Sequence, residues 1–210
     1  GFEADDLIGT LTKRGLEEGL DVVIVSGDKD FAQLINSSVT LYDTMKDVRY
    51  DSALALEKWG VPPEKMIDYL ALVGDSSDNV AGVAGIGPKG AQKLLAEFSS
   101  LEDIYEKIGS VKPDGTRKKL EASRDEAFLS KRLVTIVQDV PLDCAVEELR
   151  LHAIEREKVL PLFEELGFKS LSRQLFGAET APSSTPMPPK QGEAETASDV
   201  SRTESAATSV

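Results

Sequence analysis

Seven carboxylates carry most of the chemistry this chain can offer. They fall in three short clusters: Glu3, Asp5 and Asp6 in GFEADD, Asp28 and Asp30 in SGDKDFAQL, and Asp75 and Asp78 in GDSSDN. Brought to one place they would repel one another, and few bases stand beside them in the sequence to compensate. Hard divalent cations with oxygen ligands, Mg²⁺ or Mn²⁺, are the natural partner. A pair of such ions about 4 Å apart activates water and stabilises the leaving oxygen in phosphodiester hydrolysis. Each cluster also precedes a candidate helix, where Asp and Glu are favoured by the helix dipole. Any one cluster alone reads as well as a helix start. The three together favour metal, without naming a reaction.

A second feature is more specific. In VAGVAGIGPKGAQKLL (Val80–Leu95), residues Val83, Gly85, Ile86, Gly87, Ala91, Leu94 and Leu95 follow the helix–hairpin–helix pattern. Gly85 and Gly87 permit a tight turn and leave backbone N–H groups unshielded. Pro88 can begin the next helix, whose first amides would face a phosphate. Ile86 anchors the hairpin, and Lys89 and Lys93 add charge. The bland alternative is a helical corner with no ligand. KPDGTRKK (Lys112–Lys119) reads either as a solvated turn or as a second basic contact to the same backbone.

The surrounding elements must position these groups. Leu7, Ile8, Leu11 and Leu16 recur at helical spacing. DVVIVSGD holds a short β-branched run expected to be a strand buried on both faces, so Asp28 and Asp30 follow the carboxyl end of a strand, where open α/β sheets bind ligands. VTLYDT and VRYDS suggest two further strands. From about Val61 helical patterns dominate, and PPEKMIDYLALVG starts on prolines and ends on glycine as a capped helix does. Gly177–Val210 has no aromatic residue, Leu or Ile and reads as a disordered tail.

Composition sets outer limits. No run approaches the roughly 18 apolar residues of a membrane span. A single cysteine, Cys144, excludes an internal disulfide, and with only His152 available a Cys/His zinc site is implausible. A reducing, cytoplasmic compartment fits these features. The net charge of −13 opposes nucleic-acid binding, unless many carboxylates face metal ions that reverse the local field.

GFEADD, GDKDFAQL, WGVPPEKMIDYLALVGDSSDN and GVAGIGPKGA stand together in an order and spacing that resemble the 5′-nuclease family from Gly1 to about Phe176. Within that family, which includes flap endonucleases, the chain is most similar to the N-terminal 5′→3′ exonuclease domains of bacterial DNA polymerase I. The resemblance implies an α/β fold with a partial, mostly parallel sheet of the PIN-like nuclease core over residues 1–60. A helical subdomain with the hairpin would follow over 61–176, then a linker or tail over 177–210 leading towards a polymerase portion. It implies that Glu3, Asp5, Asp6, Asp28, Asp30, Asp75 and Asp78 form the site of two Mg²⁺ ions, with Mn²⁺ as a substitute. Asp5, Asp28, Asp30 and Asp78 are the residues expected to carry catalysis. Gly85, Ile86, Gly87, Lys89, Gly90 and Lys93 are expected to hold duplex DNA, with K⁺ at the hairpin carbonyls. The implied partner is DNA with a 5′ end or flap, in replication and repair, handled by a monomer with no membrane contact.

In the family a first core strand ending in Asp, a second Asp and a basic helical arch precede GFEADD. Their absence here leads us to expect a piece of a longer polypeptide whose nuclease activity alone is impaired. Two other readings stay open at this stage. One is a hairpin module that binds duplex DNA without catalysis. The other is a haloacid-dehalogenase-type phosphatase, suggested by VSGDKD and GDSSD, although Phe31 stands where that family has threonine and the hairpin would have no role.

Overall fold

The computed structural model describes residues 1–177; the tail expected beyond them lies outside the described residues. Contacts group the chain into two compact units, Gly1–Arg150 and a second that begins at Leu151. No helix among the described residues is long and apolar enough to cross a membrane.

The first unit opens with α1 (Ala4–Glu17) and then β1 (Val22–Val25). A 3₁₀ turn, Lys29–Leu34, leads to β2 (Val39–Asp43) and β3 (Val48–Tyr50). The sheet has the order β1-β2-β3, with β1 parallel to β2 and β2 antiparallel to β3. The short hydrophobic run of β1 is not covered on both faces: Ile24 is buried, whereas Val23 and Val25 are 42% and 63% exposed. Period-2 alternation governs it, as in a strand with one core face.

α1 also departs from its sequence pattern. Leu7 and Ile8 are exposed, and the buried positions are Gly9, Thr10, Thr12 and Gly15. Small residues are required there because the helix closes directly on the segment that begins at Ile136. A Cβ on Gly9 would run into the Ile136 side chain. Thr10 Oγ1 accepts from the Val140 amide at 3.1 Å, and Arg14 donates to the carbonyls of Cys144 (2.8 Å) and Leu142 (3.1 Å).

Helices form the rest of this unit: α2 (Ser52–Trp59), α3 (Met66–Val73), α4 (Pro88–Glu97), α5 (Leu101–Glu106), α6 (Asp114–Ala122) and α7 (Arg124–Val134). Asp51 caps α2 through the Leu54 amide, and Gly60 closes it in the left-handed region. α3 is the central helix and packs on α4 and α7. Met66, Leu70 and Leu95 are all but inaccessible at this junction. Each such burial contributes roughly 1.5–3 kcal/mol. Lys131 on α7 adds a polar brace, 2.7 Å from both Asp68 on α3 and Glu102 on α5.

In the second unit α8 (Arg156–Glu165) and α9 (Lys169–Phe176) pack on one another across Gly167. Phe163 anchors the pair, its ring 6.0 Å from Phe168 and 6.5 Å from Phe176.

Candidate functional site

Three chain reversals deliver the carboxylates. Glu3 and Asp5 stand at the N-terminus of α1, where the helix dipole favours negative charge. Asp28 caps the 3₁₀ turn after β1, its Oδ1 accepting from the Asp30 amide at 2.9 Å. Asp75 and Asp78 lie in the loop after α3, closed by paired backbone bonds between Asp75 and Val80 (2.9 and 2.7 Å).

These reversals meet at one cavity of about 240 Å³, lined by Glu3, Asp5, Asp28, Asp30 and Asp78 with Val80, Leu133 and Val134. Asp30, Asp75 and Asp78 each offer an oxygen within 4.8 Å of the others. Asp6 is placed differently. Its two oxygens accept from the backbone amides of Val137 (2.9 Å) and Glu3 (3.1 Å), and it is not on the cavity wall.

The electrostatics bear the mark of this crowding. Burial pushes the Asp30 carboxyl up to about 6, with Asp28, Asp75 and Asp78 adding to the effect and Lys29 opposing it. Asp5 is also raised, by burial first and then by Asp28, Glu3, Asp6 and Asp78. Asp75 goes the other way: its hydrogen bond from Lys29 holds the carboxyl below the usual range, against its burial. A divalent cation fits these donors. Asp30 Oδ1 is buried without a hydrogen-bond partner, and hard oxygen ligands in a group of three suit such an ion.

The hairpin lies beyond the same loop. Val83 donates its amide to the Leu72 carbonyl (2.9 Å), and Ile86, 6% exposed, plugs the turn into the core beside Ala91, Leu94 and Leu95. Gly87 is the N-cap of α4 and Pro88 its first residue. Gly85, Ile86, Gly87, Lys89 and Gly90 line an open cavity of about 480 Å³; Lys93, one turn further on, is exposed but not on this wall. The two glycines are not equivalent. Gly85 has φ +78°, whereas Gly87 is extended and has no atom within 4 Å of a Cβ placed on it. Only Gly85 is a conformational requirement.

Two further contributors are one stretch whose role the sequence left open and one residue it did not single out. Residues 114–119 of the basic KPDGTRKK stretch are helical, at the start of α6, and not a loop. Thr116 lines the hairpin cavity, and Lys119 Nζ donates to the Gly85 carbonyl at 2.8 Å. The other is Lys29, inside the GDKD motif itself, whose ammonium is bonded to Asp75.

Comparison with known proteins adds an independent line. Residues 1–60 match the model of the 5′-3′ exonuclease N-terminal resolvase-like domain, and residues 61–157 that of the 5′-3′ exonuclease C-terminal SAM fold. The chain is 46% identical over 181 residues to DNA polymerase I of Caldicellulosiruptor bescii, covering 83% of this chain and 21% of that protein. It is 44% identical over 200 residues to the thermostable DNA polymerase I of Thermus filiformis, covering 91% and 23%. It thus spans about a fifth of the length of these relatives. Among solved structures it resembles bacteriophage T5 5′-exonuclease with bound divalent metal ions (zinc), at TM-score 0.61 and 28% identity, covering 65% of this chain and 51% of that one. A T5 flap endonuclease in complex with DNA and metal ions aligns with TM-score 0.61 and 27% identity, over 65% and 51% of the two chains.

Proposed function

The chain belongs to the 5′-3′ exonuclease family, and from that footing we propose that it forms the metal-dependent nuclease part of a DNA polymerase I-like protein, hydrolysing phosphodiesters of DNA that carries a 5′ end or flap. One observation carries the reading: carboxylates from three separated motifs line a single cavity, one loop away from an open glycine hairpin.

Asp30, Asp75 and Asp78 would hold one divalent cation, and Asp5, Asp28 and Glu3, which line the same cavity as Asp30 and Asp78, offer oxygens for a second. When bound, Mg²⁺ or Mn²⁺ supplies the positive charge that activates water and neutralises the departing oxygen. The protein's own residues do the rest. Asp28 uses Oδ1 to fix the 3₁₀ turn, which sets the direction of Asp30. Val80, Leu133 and Val134 give the cavity an apolar wall that limits water and strengthens the local field. Asp6 positions α1 and does not take part in binding. We assign residues 1–60 to the nuclease core and 61–176 to a helical subdomain whose Asp75–Asp78 loop completes the metal site and whose hairpin grips duplex DNA. Pro88 brings no N–H and the Gly90 amide closes on the Gly87 carbonyl at 2.9 Å, so the amide and ammonium of Lys89 are the donors at this helix start that suit a phosphate.

Cleavage of a labelled 5′-flap duplex by the full-length protein tests this. Mg²⁺ should support it, EDTA should abolish it, and Asp78→Asn should lower it by orders of magnitude while duplex affinity persists. Duplex binding without any metal-dependent cleavage would select a purely binding module instead.

A further inference from the structure

Among the described residues, the cation bonded to the acidic group is Lys29. Lys29 Nζ is paired with Asp75 Oδ2 and lies 3.7 Å from Asp30 Oδ1. The Asp75 side chain is only 5% exposed, and its other oxygen, Oδ1, already accepts from the Ser77 amide at 2.8 Å. Each oxygen of Asp75 thus has one partner and a lone pair to spare, so a metal shared by Asp30, Asp75 and Asp78 arrives directly beside the ammonium whichever oxygen it takes. The Ser77 bond is part of the loop closure. The lysine is the replaceable partner.

We propose that Lys29 and a divalent cation are alternative partners of Asp75, so that Lys29 sets the metal affinity of the site by competition. The inference rests on the reading of these carboxylates as a metal centre. Two like charges within a few ångströms of one carboxylate repel, which lowers the affinity of the incoming ion. Lysine suits the part: a compact charge on a flexible four-carbon stem can leave without disturbing the backbone. Its side chain is 39% exposed, so a path to solvent exists. Lys29 also lines a neighbouring cavity of about 200 Å³, which gives the displaced stem room. The competition acts as a filter, because a divalent ion in an oxygen cage displaces an ammonium where a monovalent ion of equal charge gains little.

Mn²⁺ titration followed by electron paramagnetic resonance of the free ion reads this directly, without any turnover. Lys29→Met removes the charge and keeps the stem; the Kd for Mn²⁺ should fall about tenfold, a change of the size that removing one competing charge near a protein surface produces. Lys29→Arg keeps the charge and should stay near the parent value. In EDTA, Lys29→Met should melt at a lower temperature, and Mn²⁺ should restore more of the loss than it adds to the parent. Lys29→Gln carries the same expectation for affinity should the methionine variant not fold. Unchanged or weaker Mn²⁺ binding in the uncharged variants overturns the proposal. Asp78→Asn separates this from failure of the metal reading. If it weakens Mn²⁺ binding while Lys29→Met does not strengthen it, only the competition is wrong; if it has no effect on Mn²⁺, both fall.

Discussion

Asp6 and Val137 are joined by a 2.9 Å hydrogen bond across 131 residues, from the Val137 amide to Asp6 Oδ1. The bond ties the start of α1 to the segment after α7, and so fixes where Glu3 and Asp5 stand relative to the loop carboxylates. Within the first acidic cluster, Asp6 is thus engaged by backbone amides while Glu3 and Asp5 face the cavity.

Asp6→Ala should therefore act on stability, and Asp78→Asn on metal binding. Losing a charged acceptor with two backbone donors should destabilise the fold by about 1.5–3 kcal/mol, read from urea midpoints. Asp78 is exposed, so its variant should unfold within about 0.5 kcal/mol of the parent in EDTA. Equal stability losses in the two variants would contradict this division.

The hairpin glycines should separate in the same way. Gly85→Ala forces a Cβ into the left-handed region at a cost of roughly 1–2 kcal/mol and brings it to 3.0 Å from Lys119 Nζ. Gly87→Ala should leave the melting temperature unchanged, since nothing lies near the added carbon. Both should weaken duplex binding in fluorescence anisotropy, the first by deforming the turn and the second by covering the amides. Lys89→Ala should lower the slope of log affinity against log salt by about one counterion.

Asp30 gives the metal-depleted protein a pH signature. Its folded carboxyl titrates at about 6, above the ordinary 3.8 of the unfolded chain. The folded state therefore holds the proton more tightly between those values. The stabilisation is complete below about 4 and is lost as pH rises through about 6, an effect on the order of 2–3 kcal/mol. Denaturation midpoints in EDTA should fall over that window, and Asp30→Asn should flatten the fall. Metal binding runs the opposite way and should weaken below about pH 6, because the ligands must be deprotonated.

Lys131 should be the most sensitive charged position outside the acidic cavity. Its ammonium, 25% exposed, compensates Asp68, whose side chain is 8% exposed. Lys131→Met leaves that carboxylate uncompensated and should cost about 3–5 kcal/mol in thermal or urea unfolding. Lys131→Met combined with Asp68→Leu should recover much of the loss. A simply additive double variant would show that the pair is not coupled.

The acidic motifs and the hairpin were legible because their signals are local: carboxylates after a strand, glycines at fixed offsets, a proline at a helix start. What escaped depends on partners distant in sequence. Nothing in GFEADD tells Asp6 from Asp5, because the difference is the Val137 amide. Lys29 stands between the two aspartates of GDKD, and only the return of the chain at Asp75 supplies the partner it bonds. The leucines of α1 made a convincing stripe, yet the buried face is Gly and Thr, since close approach of the Ile136–Cys144 segment outweighs apolar periodicity. The run VVIV suggested cover on both faces, but four β-branched residues in a row do not distinguish a doubly covered strand from one with a single core face.

The loop from Asp75 to Gly85 is short and pinned throughout. Asp75 pairs with Val80, the Gly82 amide donates to Ser130 Oγ at 3.0 Å, and Val83 bonds back to Leu72. The acidic cavity and the hairpin are thus the two jaws of a caliper whose opening the backbone has locked. On the proposed reading, the scissile bond is chosen by its distance from the gripped duplex and not by base identity. Inserting a residue between Val80 and Gly82 would reset that gauge.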